Sequence, residues 1–227
     1  VKGPKTGKYY EIDWREEDLR ACIDDDFDGD GLAVAEAYFA NVAKVAEKKP
    51  TILGHFDLIK KINGGNKFFD ENDPRYTAAA NSALMAAARN RCVLEVNTSA
   101  AYRGFRKDYF PSDAILKDWL VLSGNVVLTA DVHDVKALTY GFEDAAAKLK
   151  ELGYQTAAYH PYLPISYRRS SVYPLLGLDA FYSEEDSLPH EEYLRTYVSD
   201  RADFKNVIHL YEERAVSYTH LTLPTKA

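Results

Sequence analysis

Cysteine is scarce in this chain. There are two in 227 residues, Cys22 and Cys92, far apart and outside any CxxC spacing. That scarcity argues against a zinc ribbon and for a reducing compartment. An excess of positive charge is also lacking: the formal net charge is -7, which argues against a general nucleic-acid binder but still allows local basic clusters. No apolar run approaches membrane-spanning length, and no signal-peptide pattern opens the chain. The expectation is therefore a cytoplasmic protein with neither nucleic acid nor membrane as partner. An initiator Met is missing as well, since the chain opens at Val1, as expected of a fragment or a processed product. What is present, 46% hydrophobic and 28% charged residues, suits one folded domain with a substantial core.

Along the chain, helical and extended patterns alternate. Residues 15–23 and 32–47 have helical spacing, the latter with Leu32, Ala35, Phe39, Val42, Ala43 and Ala46 near one face. Residues 73–90 are Ala-rich, with Asp73 as N-cap and Pro74 at the first helical position. Helices are also predicted at 111–124, opened by a Ser cap and stopped at Gly124, and at 141–153, closed by Gly153. Between them lie short apolar runs at 51–56 (TILGHF), 92–97 (CVLEVN), 126–131 (VVLTAD) and 155–160 (QTAAYH). Strand–helix alternation of this kind predicts a parallel α/β sheet with helical crossovers, either a barrel or a doubly wound sheet. After about residue 163 the rhythm is lost, although 187–198 reads as a helix. The closing segment, 216–227, extends no earlier pattern and reads as a non-native ending.

Three of the predicted strands end in polar residues: His55, then Glu95 and Asn97, then Asp131 and His133. Strand C-termini of a parallel sheet share one edge, so residues some 40 positions apart would converge there. Two imidazoles and two carboxylates form a donor set suited to zinc, manganese or iron. Taken singly, each has a plainer role: Asp131 would cap the turn at 134–138, and His55 would be a hydrogen-bonded loop histidine. Glu95 inside an apolar strand is harder to dismiss, because an unpaired buried carboxylate is costly. Cations follow the same strands: Lys60 and Lys61 after the first, and Arg103, Arg106 and Lys107 after the second. Arginine forks bind phosphate oxygens in bidentate fashion, so metal plus arginine favours a small phosphate monoester as substrate.

The stretch DDDFDGDG imitates the opening of a calcium-binding EF-hand loop. The twelfth position, however, is Ala37, where that loop needs a bidentate Glu; Glu36 comes one place early. A solvated acidic turn capping the following helix is the expectation instead.

The segments KYYEIDW, ILGHFDLIKKIN, LEVNTSAAYRGFRKDYFPS, VVLTADVH and YGFEDAAAKLKELGY, in this order, resemble the histidinol-phosphatases of the PHP (polymerase and histidinol phosphatase) superfamily. The likeness runs from about residue 1 to 154. It implies a distorted (β/α)7 TIM-like barrel with up to three divalent metals (Zn, Mn or Fe) at its strand C-termini. The implied reaction is hydrolysis of L-histidinol phosphate in histidine biosynthesis. On this resemblance His55, Asp131 and His133 are metal ligands, and Arg103 or Arg106 holds the phosphate, with Lys60 as a second cationic contact. Glu95 would bind metal, orient substrate or support a ligand. Val132 stands where the family usually has Ala. The family's first-strand His-x-His pair is absent. The expected organisation is thus a partial PHP barrel at 1–163 lacking its first strands, an irregular tail at 164–215, and 216–227 beyond it. Such a chain would be a phosphatase or its inactive fragment. Another PHP-type phosphoesterase or exonuclease, or a non-catalytic metal binder, is the alternative.

Overall fold

The computed structural model describes residues 1–160 without a break. Beyond them it describes 163–165, 168–175, 178–183, 185–186, 193–194, 197–199, 201–202, 205–206, 209 and 218–220. Through residue 160 the elements are α1 (Glu16–Asp26), α2 (Gly31–Ala46), β1 (Ile52–Leu53), α3 (Pro74–Arg89), β2 (Val93–Asn97), α4 (Ser99–Tyr102), α5 (Asp113–Val121), β3 (Val126–Thr129), α6 (Phe142–Leu152) and β4 (Gln155–Tyr159). There follow α7 (Arg169–Leu175), β5 (Ala180–Tyr182), β6 (Tyr193–Leu194), β7 (Tyr197–Val198) and β8 (Tyr218–His220). No helix among the described residues is long and apolar enough to cross a membrane.

Six strands form one sheet in the order β1-β2-β3-β8-β4-β5, and every pairing in it is parallel. The β2–β3 register sets Glu95 beside Val127 and Asn97 beside Thr129, so both strands release their polar ends at one edge. The end strands β1 and β5 do not pair, and the described residues form an open α/β sheet, not a closed barrel. β5 and β8 join this sheet from a region where the sequence shows no strand rhythm. The helix expected at 187–198 is not found in its described part. Residues 193–194 and 197–198 pair antiparallel as a two-stranded ribbon, and the rest of that span lies outside the described residues.

The core lies against the sheet face that carries Leu94, Val96, Val126 and Leu128. α2 presents Val34, Ala35, Phe39, Val42 and Ala46 to it, and α3 presents Tyr76, Ala80, Ala83, Leu84 and Ala87. The small alanines of α3 leave room for aromatic contacts: Phe39 meets Tyr76 edge-on at 5.2 Å and Phe56 at 5.7 Å. Asp73 caps α3 as its sequence predicts, accepting from the Arg75 amide at 2.7 Å. Gly153 closes α6 with φ 104°. Ser112 precedes α5 but makes no side-chain cap. Gly124 is not the stop of α5; it lies where a Cβ would meet the Trp119 ring at 2.0 Å, so glycine is required there for packing.

The acidic turn differs from the solvated cap expected of it. Asp30 does cap α2 through the Ala33 amide, but Asp26 is only 1% exposed. Its carboxylate accepts hydrogen bonds from the Lys5 and Thr6 amides, the Thr6 hydroxyl and the Tyr10 hydroxyl, at 2.7–2.8 Å. Gly3 packs so close that a Cβ would strike the same carboxylate at 2.2 Å. The segment before α1 is thereby folded around one acidic side chain. Burial by itself would raise the Asp26 carboxyl; the hydrogen bonds from Thr6, Tyr10 and Lys5 outweigh it and hold the group well below the usual carboxylate range. A group depressed in the folded state stabilises above its unfolded pKa, about 4, and loses that contribution as pH falls toward its folded value. Asp26→Asn is expected to lower Tm by several degrees at neutral pH, with the gap to the parent narrowing below about pH 4. Thermal unfolding from pH 7 to pH 3 checks this; a gap that does not change with pH would contradict it.

Candidate active site

At the C-terminal edge of β1, β2 and β3 lies a pocket of about 200 Å³ whose lining includes His55, Ser99, Arg103, Asp131 and His133, together with Asp13, Trp14, Lys61 and Phe105. β1 and β3 break sharply on leaving the sheet. His55 has φ 53° and Asp131 φ 44°, left-handed conformations that Asp and His adopt more readily than most residues. The hydroxyl of Tyr38 donates to the His55 carbonyl and fixes the first of these turns from α2.

Two imidazole–carboxylate pairs define the polar end. His55 Nδ1 lies 3.4 Å from Glu95 Oε2, and the His55 amide donates to the same oxygen at 3.0 Å. The other Glu95 oxygen accepts from the Thr129 hydroxyl at 2.7 Å. Gly54 leaves the space this carboxylate needs, since a Cβ there would come within 3.0 Å of it. Glu95 does not itself line the pocket; its carboxylate is held between the His55 amide and the Thr129 hydroxyl. The second pair is His133 Nε2 with Asp131 Oδ1, at 3.4 Å. Asp131 Oδ2 accepts from Ser99 Oγ at 3.4 Å and lies 3.8 Å from Arg103 Nη2.

The predicted site residues are thus brought together in part. His55, Asp131, His133 and Arg103 line one pocket. Arg106 and Lys60 are turned away into a buried ion network. Arg106 forks onto Glu71 at 2.9 and 3.0 Å, reaches the Lys60 carbonyl at 3.0 Å and lies 3.3 Å from Asp108. Lys60, with no exposed surface, holds Asp108 at 2.7 Å and Asp57 at 3.1 Å over the Phe110 ring. Burial would lower the Lys60 ammonium, but the Asp57 and Asp108 carboxylates prevail and raise it. Neither side chain has a charge to spare for phosphate. Asn97 is buried, its Oδ1 accepting from the Ser99 amide at 2.9 Å.

The pocket is also where ion pairing is loosest. Four ion pairs between described residues are wider than 3.3 Å, and all involve pocket-lining side chains: His55–Glu95, His133–Asp131, Lys61–Asp13 at 3.5 Å and Arg103–Asp131. The remaining pairs between described residues close to 3.3 Å or less. Charge-assisted hydrogen bonds are normally about 2.7–2.9 Å, so Lys61 and Arg103 hold unused bonding capacity.

The sequence pattern also left one edge residue unnoticed. His160, directly after β4, is 6% exposed, and among the described residues neither ring nitrogen has a hydrogen-bond partner. Burial, followed by the nearby Arg169 charge, holds its pKa down to about 4. The strand-end rule that picks out His55 and Asp131 picks out this residue too, but it does not line the pocket.

For a metal, the donor set is chemically apt but divided. Among the described residues no three His, Cys, Asp or Glu side chains gather closely enough to hold an ion. Instead of one shared cluster there are two pairs with two donors each, Glu95 with His55 and Asp131 with His133.

Substitution separates the two kinds of cation. Lys60→Met is expected to cost about 3–5 kcal/mol, because it strands buried Asp57 without its counter-charge. Arg103→Ala, which removes a partly exposed and distant contact, is expected to cost less than about 1 kcal/mol. Urea unfolding of both variants decides; equal losses would contradict the division.

No protein-family model matches the chain, and no curated protein is significantly similar to it.

Proposed function

We propose that this pocket hydrolyses a phosphate monoester with the help of divalent metal, as part of a PHP-type barrel, and that L-histidinol phosphate is the substrate the sequence resemblance implies. The observation that carries this reading is the gathering of two loosely paired imidazoles, the Asp131 carboxylate and the Arg103 guanidinium in one pocket at the strand C-termini. The coarse architecture, an open parallel sheet with helical crossovers, is compatible with it.

Asp131 and His133 would hold one cation and His55 another. A divalent ion bound there would offset phosphoryl charge and bring the pKa of water toward neutrality. Around that chemistry the chain's own groups have separable tasks. Arg103, held only at 3.8 Å by Asp131, is free to swing its fork onto the phosphoryl oxygens and to stabilise charge as the ester bond breaks. With Nδ1 facing Glu95, His55 would turn Nε2 toward a cation. Ser99 orients Asp131 by donating to Oδ2, which leaves Oδ1 toward His133.

The division into two-donor pairs favours a second reading, in which the chain binds metal and phosphate without turnover. A phosphate-release assay on L-histidinol phosphate, p-nitrophenyl phosphate and an oligonucleotide, with and without Mn²⁺ or Zn²⁺, separates the two. Hydrolysis of the small esters, abolished by chelation and by His133→Ala, is the expected result. Arg103→Ala is expected to reduce kcat/KM roughly a hundredfold or more. Metal binding with no release of phosphate would support the second reading, and preference for the oligonucleotide would point to another PHP-type activity. Unchanged activity in His133→Ala would remove His133 from the site.

A further inference from the structure

Lys60 and Lys61 are neighbours in sequence, yet their side chains have opposite surroundings. The Lys60 ammonium has three oxygen partners: Asp108 at 2.7 Å, Asp57 at 3.1 Å and the Tyr109 carbonyl at 3.3 Å. Lys61 is also buried, at 8% exposure, but it lines the pocket. Among the described residues its acceptor is a single oxygen, Asp13 Oδ2, at 3.5 Å. Its other close neighbours are the rings of Phe105 and Trp14, with centroids 4.8 and 5.9 Å from Nζ. Aromatic faces attract a cation but do not accept its hydrogen bonds in the way an oxygen does. An ammonium has three donors, and a charge removed from water is costly unless they are used.

The geometry points to Lys61 as an anion-binding residue of the pocket, which seats oxygens of a phosphoryl dianion together with Arg103; this rests on the reading of the pocket as a phosphoryl site. Asp13, whose side chain is 37% exposed, then acts as a stand-in, occupying one donor of Lys61 until a ligand oxygen competes for it. The Phe105 and Trp14 rings flank the ammonium, and at 8% exposure Lys61 has little contact with bulk water, which strengthens its attraction for an anion. The ligand class is a phosphate monoester or its product, inorganic phosphate.

Inorganic phosphate is the probe, with affinity measured by calorimetric titration on the whole chain. Trp14 supplies a local signal, because the only other tryptophan, Trp119, is buried in the core at 1% exposure. Lys61→Gln is expected to weaken phosphate binding roughly tenfold or more, while Lys61→Arg retains most of it. Asp13→Asn is expected to act in the opposite direction, tightening binding several-fold, and to lose that effect when combined with Lys61→Gln. The opposed signs keep the test decisive even if one variant folds poorly. Phosphate binding by the parent with no change in Lys61→Gln would overturn the assignment of Lys61 alone. A parent that binds no phosphate at all would overturn the reading of the pocket on which the assignment rests.

Discussion

The pocket depends on a buried cation that never faces it. Lys60, enclosed between Asp57 and Asp108, joins the turn after β1 to the loop after β2, and Arg106 extends that junction to Glu71 and to the Lys60 carbonyl. Asp57 continues it to the Ser112 amide ahead of α5. Removing these charges from water is expensive, and the gain in stability over an apolar packing is small at best. What such a network supplies is position. With both loops locked from behind, His55 and Lys61 on one loop and Arg103 and Phe105 on the other have fixed starting points from which to line a common space.

Behind the pocket the ion pairs close to 3.3 Å or less, and within it they are longer. This contrast is the physical content of the site. A side chain that has already satisfied its charge has little to offer a ligand, whereas one left at 3.4–3.8 Å from its partner can exchange that contact for a better one. His55 and Asp131, which follow β1 and β3, both line the pocket and both have a left-handed backbone.

Much of the frame was legible in the sequence. Periodicity locates α2, α3 and α6 and the strands β1 to β4, because their apolar spacing is dictated by the sheet they cover. Strand-end position selects His55, Asp131 and His133 for the same reason. What periodicity cannot supply is the direction of side chains in loops. It offers no means of telling Lys60 from Lys61, or Arg106 from Arg103, because each choice is set by partners distant in sequence, such as Asp108 and Glu71. Asp26 eluded it likewise, since its burial depends on residues 3–10 folding back over the end of α1. β5 and β8 are not legible because they lie after residue 163, where no strand–helix alternation marks them.

The most direct measurement of the central claim is a crystal structure determined with Mn²⁺ and inorganic phosphate, using the anomalous signal of manganese to place the metal. Manganese beside Asp131 and His133, phosphate oxygens on Arg103, and Lys60 and Arg106 unmoved in their ion network would agree with the account. Phosphate bound by Lys60 or Arg106, or manganese sited away from both imidazole–carboxylate pairs, would contradict it.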